Sequence, residues 1–317
     1  MKNIVFLMLV GLVFNCGPDT KTRELMNKAK ITFGVMPEKM PGSEKDNTDL
    51  VKLGEKLYFE KRLSKNDSQS CNSCHNVNDK GGGVDNQPTS TGAFGAKGGR
   101  NAPTVLNAGL QLAQFWDGRA KNLVEQAKGP ILNPIEMAMP DEKAVVEKIS
   151  AIGEYKELFA KAKIEINYQN IAEAIAAYER TLITYDRLND FVKGENSLND
   201  AEKKGLELFM STGCASCHNG PAIGGNSYRK IGEQVAYETS DKGRFDLTKK
   251  EQDKFVFKVP MLRNIAITGP YFHDGSVKTL EDAVKKMAHH QLNKNLGDAE
   301  IASIVAFLNT LTDKKRK

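Results

Sequence analysis

Two short stretches of the chain, CNSCH at residues 71–75 and CASCH at residues 214–218, share the pattern C-x-x-C-H. In this pattern two thiols add across the vinyl groups of a haem, and the histidine that follows becomes the proximal ligand of the iron. A single copy could be a redox pair or half of a zinc site, but two full copies without partner Cys/His pairs argue against zinc. The sequence therefore predicts two covalently bound c-type haems. The attaching thiols are Cys71, Cys74, Cys214 and Cys217, and the proximal ligands are His75 and His218.

The fifth cysteine, Cys16, ends an apolar run over residues 4–14 that is too short to span a bilayer. Residues 1–16 are therefore predicted to be a secretory signal of the lipoprotein type, with a lipid anchor on Cys16. Residues 13–15 match the usual small-residue cleavage site poorly, so a plain cleaved signal stays open. In both cases we expect export to the periplasm, where the haems are attached, and no cysteine is left over for a disulfide.

The charge pattern speaks against nucleic acid as a partner. The net charge is +5, and it is spread in mixed runs rather than in a basic stripe with interleaved aromatic residues. The basic end of the chain, residues 314–317, is most simply a solvated tail. After the first apolar run, no second stretch of the sequence could cross a membrane.

The order of elements repeats around the two haem motifs. A G-x-x-L-aromatic pattern at residues 54–58 and 205–209 precedes each motif, and an I-x-A-aromatic-x-x-x-L pattern follows at residues 175–182 and 304–311. The spacing of the apolar residues places them on one helical face. Each half then runs helix, haem motif, variable middle and packing helix. This order predicts a mainly α fold with two class I cytochrome c-like domains, each enclosing one haem within long loops.

The predicted division of the mature chain has three parts. Residues 17–48 form an N-terminal linker or extension, residues 49–193 the first haem domain and residues 194–317 the second. The boundary falls in the polar, Gly-containing stretch at residues 193–196. Asn199 and Glu202 form the pattern of a capping box at the start of the next helix. Loops are expected at residues 81–83 and 95–100, and a small hairpin between residues 224 and 259.

Five further stretches are more specific than the haem motifs. Through them the chain resembles the bacterial dihaem cytochrome c peroxidases over nearly its whole length after the signal. The stretches are RNAPT (100–104), FWDGR (115–119), NPIEM (133–137), KVPMLRN (258–264) and PYFHDG (270–275). The resemblance implies reduction of hydrogen peroxide with electrons from a small cytochrome c or a cupredoxin, and it implies a homodimer.

The resemblance also implies different ligands for the two haems. The C-terminal haem would be a high-potential entry site for electrons, ligated by His218 and Met287, although a core methionine on a helix is the simpler interpretation of Met287. Met261 occupies a place where the family usually has Thr. The N-terminal haem, with proximal His75, would be the site at which peroxide reacts.

Three residues are implied in catalysis. Gln126 and Glu136 would lie on the distal side of the N-terminal haem, where Gln126 orients peroxide and Glu136 moves a proton between its oxygen atoms. Without the resemblance, a Glu after Asn-Pro would be a helix-start carboxylate. Trp116, the only tryptophan, would relay electrons between the haems, whereas a lone buried Trp usually belongs to the core.

A calcium ion at the domain interface is also implied by the resemblance. Its ligands would be the side chain of Asn101 and the backbone carbonyls of Thr268 and Pro270, with waters completing an oxygen shell that suits Ca²⁺. Nothing in the sequence alone points to this site.

The loop at residues 90–95 (STGAFG) departs from the family pattern. Many members have a histidine where this chain has Ala93, and that histidine blocks the peroxidatic haem until an electron arrives at the other haem. The chain has five histidines, and none lies between His75 and His218. We therefore expect the N-terminal haem to be open or water-ligated. The alternative is a resting ligand from Lys97, Met137 or Met139.

Two other classes of function remain. A dihaem electron carrier would need neither Gln126 nor Glu136. A relative that oxidises a protein side chain, as a tryptophan-modifying dihaem enzyme does, would have Tyr in place of Met287.

Overall fold

The computed structural model describes residues 17–316, and the fold is mainly helical. Cys16 and the rest of the predicted signal lie outside the described residues. The elements are α1 (Thr20–Phe33), α2 (Thr48–Tyr58), α3 (Cys71–Cys74), α4 (Leu123–Leu132), α5 (Glu142–Ser150), α6 (Gly153–Ala162), α7 (Tyr168–Glu179), α8 (Arg187–Val192), α9 (Asp200–Thr212), β1 (Tyr228–Lys230), α10 (Phe245–Thr248), β2 (Val256–Lys258), α11 (Leu280–Leu292) and α12 (Asp298–Asn309).

Side-chain caps explain where several helices begin. The predicted capping box of α9 is present: Asn199 Oδ1 accepts from the amide of Glu202 at 2.9 Å, and Glu202 Oε2 accepts from the amide of Asn199 at 2.8 Å. Asn47 caps α2 and Asn167 caps α7 with the same kind of bond to the third helical residue. Each bond satisfies one of the amides that a helix start leaves unpaired.

Two helix pairs, α2 with α7 and α9 with α12, form the frames of the two halves. In each pair a glycine allows the backbones to touch. A Cβ at Gly54 would lie 1.8 Å from the carbonyl oxygen of Ala174, and a Cβ at Gly205 would lie 1.8 Å from that of Ser303. The repeated patterns of the sequence therefore correspond to one packing arrangement that is used twice, as expected for two cytochrome c-like domains.

Two hydrophobic cores lie around these frames. The first is built from helices α2 and α4–α7, and the second from α9, α11 and α12 together with α1 and α8. The N-terminal extension thus contributes a helix to the second core, through Leu25, Ala29 and Phe33. The proposed boundary at residues 193–196 lies in the loop between α8 and α9 and stays a prediction.

Long irregular segments surround the haem motifs. Residues 75–122 contain neither an α-helix nor a strand, in agreement with the expected loops at 81–83 and 95–100. The expected hairpin is a two-stranded antiparallel sheet, β1 with β2, whose strands are joined by a long connection that contains α10. Within residues 17–316, no helix is both long and apolar enough to cross a membrane.

Candidate functional site

The second C-x-x-C-H motif opens onto a large cavity. Cys214, Cys217 and His218 line it together with Met287, which α11 presents from its third turn. Met287 is half-buried on the cavity wall and is not one of the buried residues of the second core. The structure therefore brings the predicted pair His218 and Met287 to one cavity.

The first motif is held by α2. The hydroxyl of Tyr58 donates a 2.6 Å hydrogen bond to the backbone carbonyl of His75, and the ring of Tyr58 packs against Tyr178 of α7. The Cys71 backbone carbonyl accepts from the amide of His75, which closes the C-x-x-C-H turn. The predicted proximal histidine is thus fixed to the helical frame of its own half.

The chemistry of both motifs fits covalent haem. All four thiols of the motifs are free. Burial lowers the pKa of His75, and it lowers that of His218 to about 4, so both imidazoles are neutral. The Nδ1 atoms of both rings are buried without a hydrogen bond among the described residues. A neutral imidazole next to two free thiols is the donor set that a c-type haem requires.

One segment, residues 101–104, lies between the two motifs. The backbone of Pro103 lies close to His75 and raises the pKa of its imidazole, against the larger effect of burial. The same segment lines the cavity of His218. Trp116 also lines this cavity, and its Nε1 donates to the carbonyl of Asn101 at 2.8 Å. Trp116 is half-buried.

The junction of the halves is a pseudo-twofold arrangement. The F-x-D-G turns that contain Trp116 and His273 have the same backbone form, with φ of 67° at Phe115 and 71° at Phe272. The amide of Lys258 donates to the carbonyl of Trp116, and the amide of Asn101 donates to that of His273. The rings of Trp116 and His273 are 6.4 Å apart. Each turn therefore binds the strand-like segment of the other half.

Glu136 lies near the first haem motif. Its Oε1 accepts from Asn133 Nδ2 at 2.7 Å, and its charge raises the pKa of the Cys74 thiol. Burial raises the pKa of Glu136, while the bond from Asn133 and the charge of Arg119 oppose that rise. Gln126 is on the second turn of α4 with a half-buried side chain. A carboxyl with a raised pKa is suited to accept and return a proton.

The loop that contains Ala93 lies directly on Glu136. The amide of Ala93 donates to the carbonyl of Glu136 at 2.7 Å, and the carbonyl of Ala93 accepts from Asn66 Nδ2 at 2.6 Å. A Cβ at Gly92 would lie 1.8 Å from the carbonyl oxygen of Ile135, so this contact requires glycine. Ala93 therefore lies against the backbone of the predicted distal residue Glu136, and its methyl side chain cannot ligate a metal.

The three candidate resting ligands have other environments. Met137 and Met139 are each 5% exposed and belong to the first core. Lys97 is exposed, and its Nζ donates to Thr91 Oγ1 at 2.5 Å.

The residues expected to bind calcium line the cavity at its junction side. Asn101, Thr268 and Pro270 all contribute to its wall. The Nδ2 of Asn101 donates to the carbonyls of Gln87 and Pro88, and its Oδ1 has no hydrogen bond among residues 17–316. Among residues 17–316, no group of three or more His, Cys, Asp and Glu side chains could hold a metal. Any calcium here would therefore depend on amide and carbonyl oxygens.

The sequence did not predict two site groups near the first motif. The charge of Arg119 lowers the pKa of Glu136, and Glu179 is a buried carboxyl at the end of α7. The repeated patterns could have revealed Glu179: when residues 175–182 are aligned with 304–311, Glu179 is a charged residue at the position where the second repeat has the apolar Leu308.

Fold and site together define a c-type cytochrome with two haem-binding domains. A family model described as di-haem cytochrome c peroxidase matches residues 48–197, and one described as cytochrome c matches residues 202–312. The chain is 50% identical to the cytochrome c551 peroxidase of Nitrosomonas europaea over 84% of this chain and 81% of the relative. This protein belongs to the di-haem cytochrome c peroxidase family, as the resemblance indicated.

Other comparisons agree. The chain is 44% identical to the cytochrome c551 peroxidase of Pseudomonas aeruginosa over 94% of this chain and 89% of the relative. A MauG-like protein associated with microbial copper homeostasis has a crystal structure that matches with a TM-score of 0.77 at 28% identity, covering 88% of this chain and 94% of that one. The predicted fold class and the two haem c domains are thereby confirmed.

Proposed function

We propose that this protein is a periplasmic peroxidase that reduces hydrogen peroxide to two waters with two electrons and two protons. The observation that supports this most directly is Glu136: a half-buried carboxyl with a raised pKa lies beside the first haem motif in a chain of this family. The electron donor is a small soluble cytochrome c or a copper protein. The enzyme is a homodimer, and a lipid on Cys16 tethers it to a membrane.

The two halves have different tasks in this proposal. Cys71, Cys74 and His75 would hold the haem that supplies the redox-active metal for peroxide reduction. Cys214, Cys217, His218 and Met287 would hold the haem that receives electrons. Thioether sulfur raises the potential of a haem, so Met287 suits the receiving site. Trp116 donates a hydrogen bond to Asn101, on the segment between the two motifs, and is the electron relay.

The distal residues handle the protons. Glu136, when ionised, accepts the proton of one peroxide oxygen and returns it to the other oxygen, so that this oxygen leaves as water. The amide of Gln126 donates a hydrogen bond that orients the peroxide. Asn133, through its bond to Oε1, holds the carboxylate of Glu136 in one rotamer. The positive charge of Arg119 favours the ionised form.

Calcium at Asn101, Thr268 and Pro270 connects the halves in this proposal. Asn101 accepts through its carbonyl from Trp116 and lies on the segment that reaches His75. An ion at its Oδ1 would hold Trp116 and both haem sites in one geometry.

In this proposal no side chain near position 93 would block the N-terminal haem in the oxidised enzyme. Ala93 supplies no ligand, Met137 and Met139 are packed in the first core, and Lys97 is hydrogen-bonded at the surface. Activity therefore does not require prior reduction of the other haem.

Peroxide-dependent oxidation of reduced cytochrome c tests the proposal. The enzyme is compared fully oxidised and half-reduced, both loaded with calcium. Equal and prompt turnover in the two samples supports an open peroxidase. Turnover only after half-reduction keeps the peroxidase and removes the open site. No turnover in either sample favours the electron carrier.

A matched variant isolates the role of position 93. Ala93→His places an imidazole in the loop that binds the backbone of Glu136. We expect this variant to be slow when fully oxidised and to recover after half-reduction. If it turns over as promptly as the native enzyme, position 93 does not control access.

A further inference from the structure

Glu179, the last residue of α7, is a buried carboxyl group that the proposed reaction does not use. Its side chain is 5% exposed, and its Oε2 has no hydrogen-bond partner among residues 17–316. Burial raises the pKa of Glu179 to about 8, and the neighbouring Arg180 acts in the opposite direction. A buried polar group without a partner costs about 1–3 kcal/mol.

The repeat of the helix pairs shows which residue replaces Glu179 in the other half. In the first pair Gly54 contacts Tyr178, and in the second pair Gly205 contacts Phe307, with built Cβ–Cβ distances of 3.0 and 2.9 Å. The ring of Tyr178 is 5.1 Å from that of Tyr58, and the ring of Phe307 is 5.2 Å from that of Phe209. Tyr178 and Phe307 are therefore equivalent. The residues that follow them, Glu179 and Leu308, occupy the same place in the two halves.

Leu308 shows what that place is. It lines the cavity of the second haem motif, together with Cys214, Cys217 and His218. By equivalence, Glu179 lies in the wall of the first haem pocket. Its effect on the first motif agrees, since the charge of Glu179 raises the pKa of the Cys71 thiol.

The groups that face Glu179 compensate its charge only in part. From α2 it is faced by Tyr58, whose pKa burial raises well above the ordinary value, so this hydroxyl stays neutral. From α3 it is faced by Cys71, which becomes a neutral thioether when haem is attached. Arg180, which follows Glu179 at the end of α7, is already paired with Asp46, with Nη2 and Oδ1 2.6 Å apart. In the holoprotein the charge that changes most in this wall is then the charge on the haem itself.

We propose that Glu179 is the redox-linked proton-binding group of the N-terminal haem pocket. When that haem gains one electron from the cytochrome donor, the Glu179 carboxylate takes one proton from solvent and an O–H bond forms at the carboxyl. When the electron leaves, the bond breaks and the proton returns to solvent.

The physical reason is repulsion in a medium of low dielectric. An added electron and an ionised carboxylate in one pocket repel each other more strongly than in water, and protonation of Glu179 removes that repulsion. Leu308 cannot bind a proton, so the equivalent position of the second pocket does not provide this coupling. The ionised form of Glu179 would lower the potential of its own haem, which separates the two haems in potential.

Spectroelectrochemical titration of the holoprotein, without peroxide, tests the proposal. The midpoint potential of each haem is measured across a pH range that brackets 8. In the native protein we expect the midpoint potential of the N-terminal haem to fall with rising pH. The steepest slope is about 59 mV per pH unit, which is a tenfold change in the one-electron redox equilibrium. Glu179→Gln and Glu179→Leu, the latter copying Leu308, should flatten that slope. Glu173→Gln, an exposed Glu on the same helix, should not.

Two results would overturn the proposal: an N-terminal potential with no pH slope in the native protein, or a slope that persists unchanged in Glu179→Gln. If Glu179→Leu does not fold, Glu179→Gln still decides, because it keeps the shape of the side chain. The measurement involves no peroxide, so its failure leaves the peroxidase assignment untouched. Failure of peroxide turnover likewise leaves this coupling standing.

Discussion

Replacing Glu136 by Gln is the sharpest test of the distal site, because the variant loses the ionisable carboxyl group but keeps the hydrogen bonds that Glu136 makes. The oxygen that accepts from Asn133 Nδ2 at 2.7 Å is retained in the amide of the variant. The bond from the amide of Ala93 reaches the backbone carbonyl of Glu136, so it does not depend on the side chain. The substitution removes the ability to bind and release a proton and leaves both contacts in place.

The expected loss follows from the role of Glu136 as acid and base. Such a group contributes about 10²–10⁴-fold, which corresponds to roughly 2.7–5.4 kcal/mol of transition-state stabilisation. We therefore expect kcat/KM for hydrogen peroxide to fall by about that factor in Glu136→Gln. Steady-state oxidation of reduced cytochrome c measures it. Glu125→Gln on α4, whose carboxylate pairs with Lys128 at the surface, is the matched control and should keep native activity.

The pH profile gives a second readout. Burial raises the pKa of Glu136, and the ionised form is the one that accepts the proton, so native turnover should rise as pH increases through that raised pKa. This limb should be missing in Glu136→Gln. A variant that turns over like the native enzyme, or that keeps the acidic limb, would refute the role.

Stability separates this loss from unfolding. The folded-state pKa of Glu136 lies above its ordinary value, so its ionised form costs stability at pH values above the raised pKa. Removing the charge should leave the thermal midpoint unchanged or higher at neutral pH. A lower midpoint would mean that the lost activity reflects damage to the fold.

Three further outcomes can be measured. Met287→Leu should lower the potential of the C-terminal haem by on the order of 0.1 V in a redox titration. Met261→Leu, in the same cavity, should leave that potential unchanged. Equal effects of the two variants would contradict the ligand role of Met287. Gly54→Ala should lower the free energy of unfolding, measured by urea denaturation, by about 1–3 kcal/mol. Its Cβ would lie 1.8 Å from Ala174 O and must move 1.6 Å to reach an ordinary 3.4 Å. Gly153→Ala, with open space around it, is the control, and equal stability of the two variants would contradict the packing argument. Asp186→Asn should lower the free energy of unfolding by about 3–5 kcal/mol in the same assay, because it removes the charged partner of the fully buried Arg263. Asp200→Asn at the surface should leave the stability unchanged. A stable Asp186→Asn variant would show that the ion pair is dispensable.

Much of the candidate site could be read from short stretches of sequence. The haem attachment chemistry needs two thiols and a histidine within five residues, so the pentapeptides at 71–75 and 214–218 reveal it without any fold. The helix faces of α7 and α12 follow from a period that spans a few residues, and the capping box of Asn199 and Glu202 spans four. These features depend on residues that are neighbours along the chain.

Other parts of the site depend on residues that the sequence separates. Trp116 bonds to the carbonyl of Asn101, and the loop of Ala93 rests on the backbone of Glu136, 43 positions further on. A family resemblance could place Trp116 and Glu136 in a reaction, but not their hydrogen bonds or the sign of a pKa shift. Those follow from burial, which depends on how the loops are packed against the helices.

The sequence by itself determined two haem attachments, a doubled helical framework and the family. The tertiary structure decided the environments: a cavity shared by His218 and Met287, a glycine contact that sets Ala93 on Glu136, and a buried carboxyl at Glu179 where the other half has Leu308. The reason is physical. Covalent chemistry and helical period act over a few residues, whereas desolvation and charge act through space between segments that only the folded chain brings together.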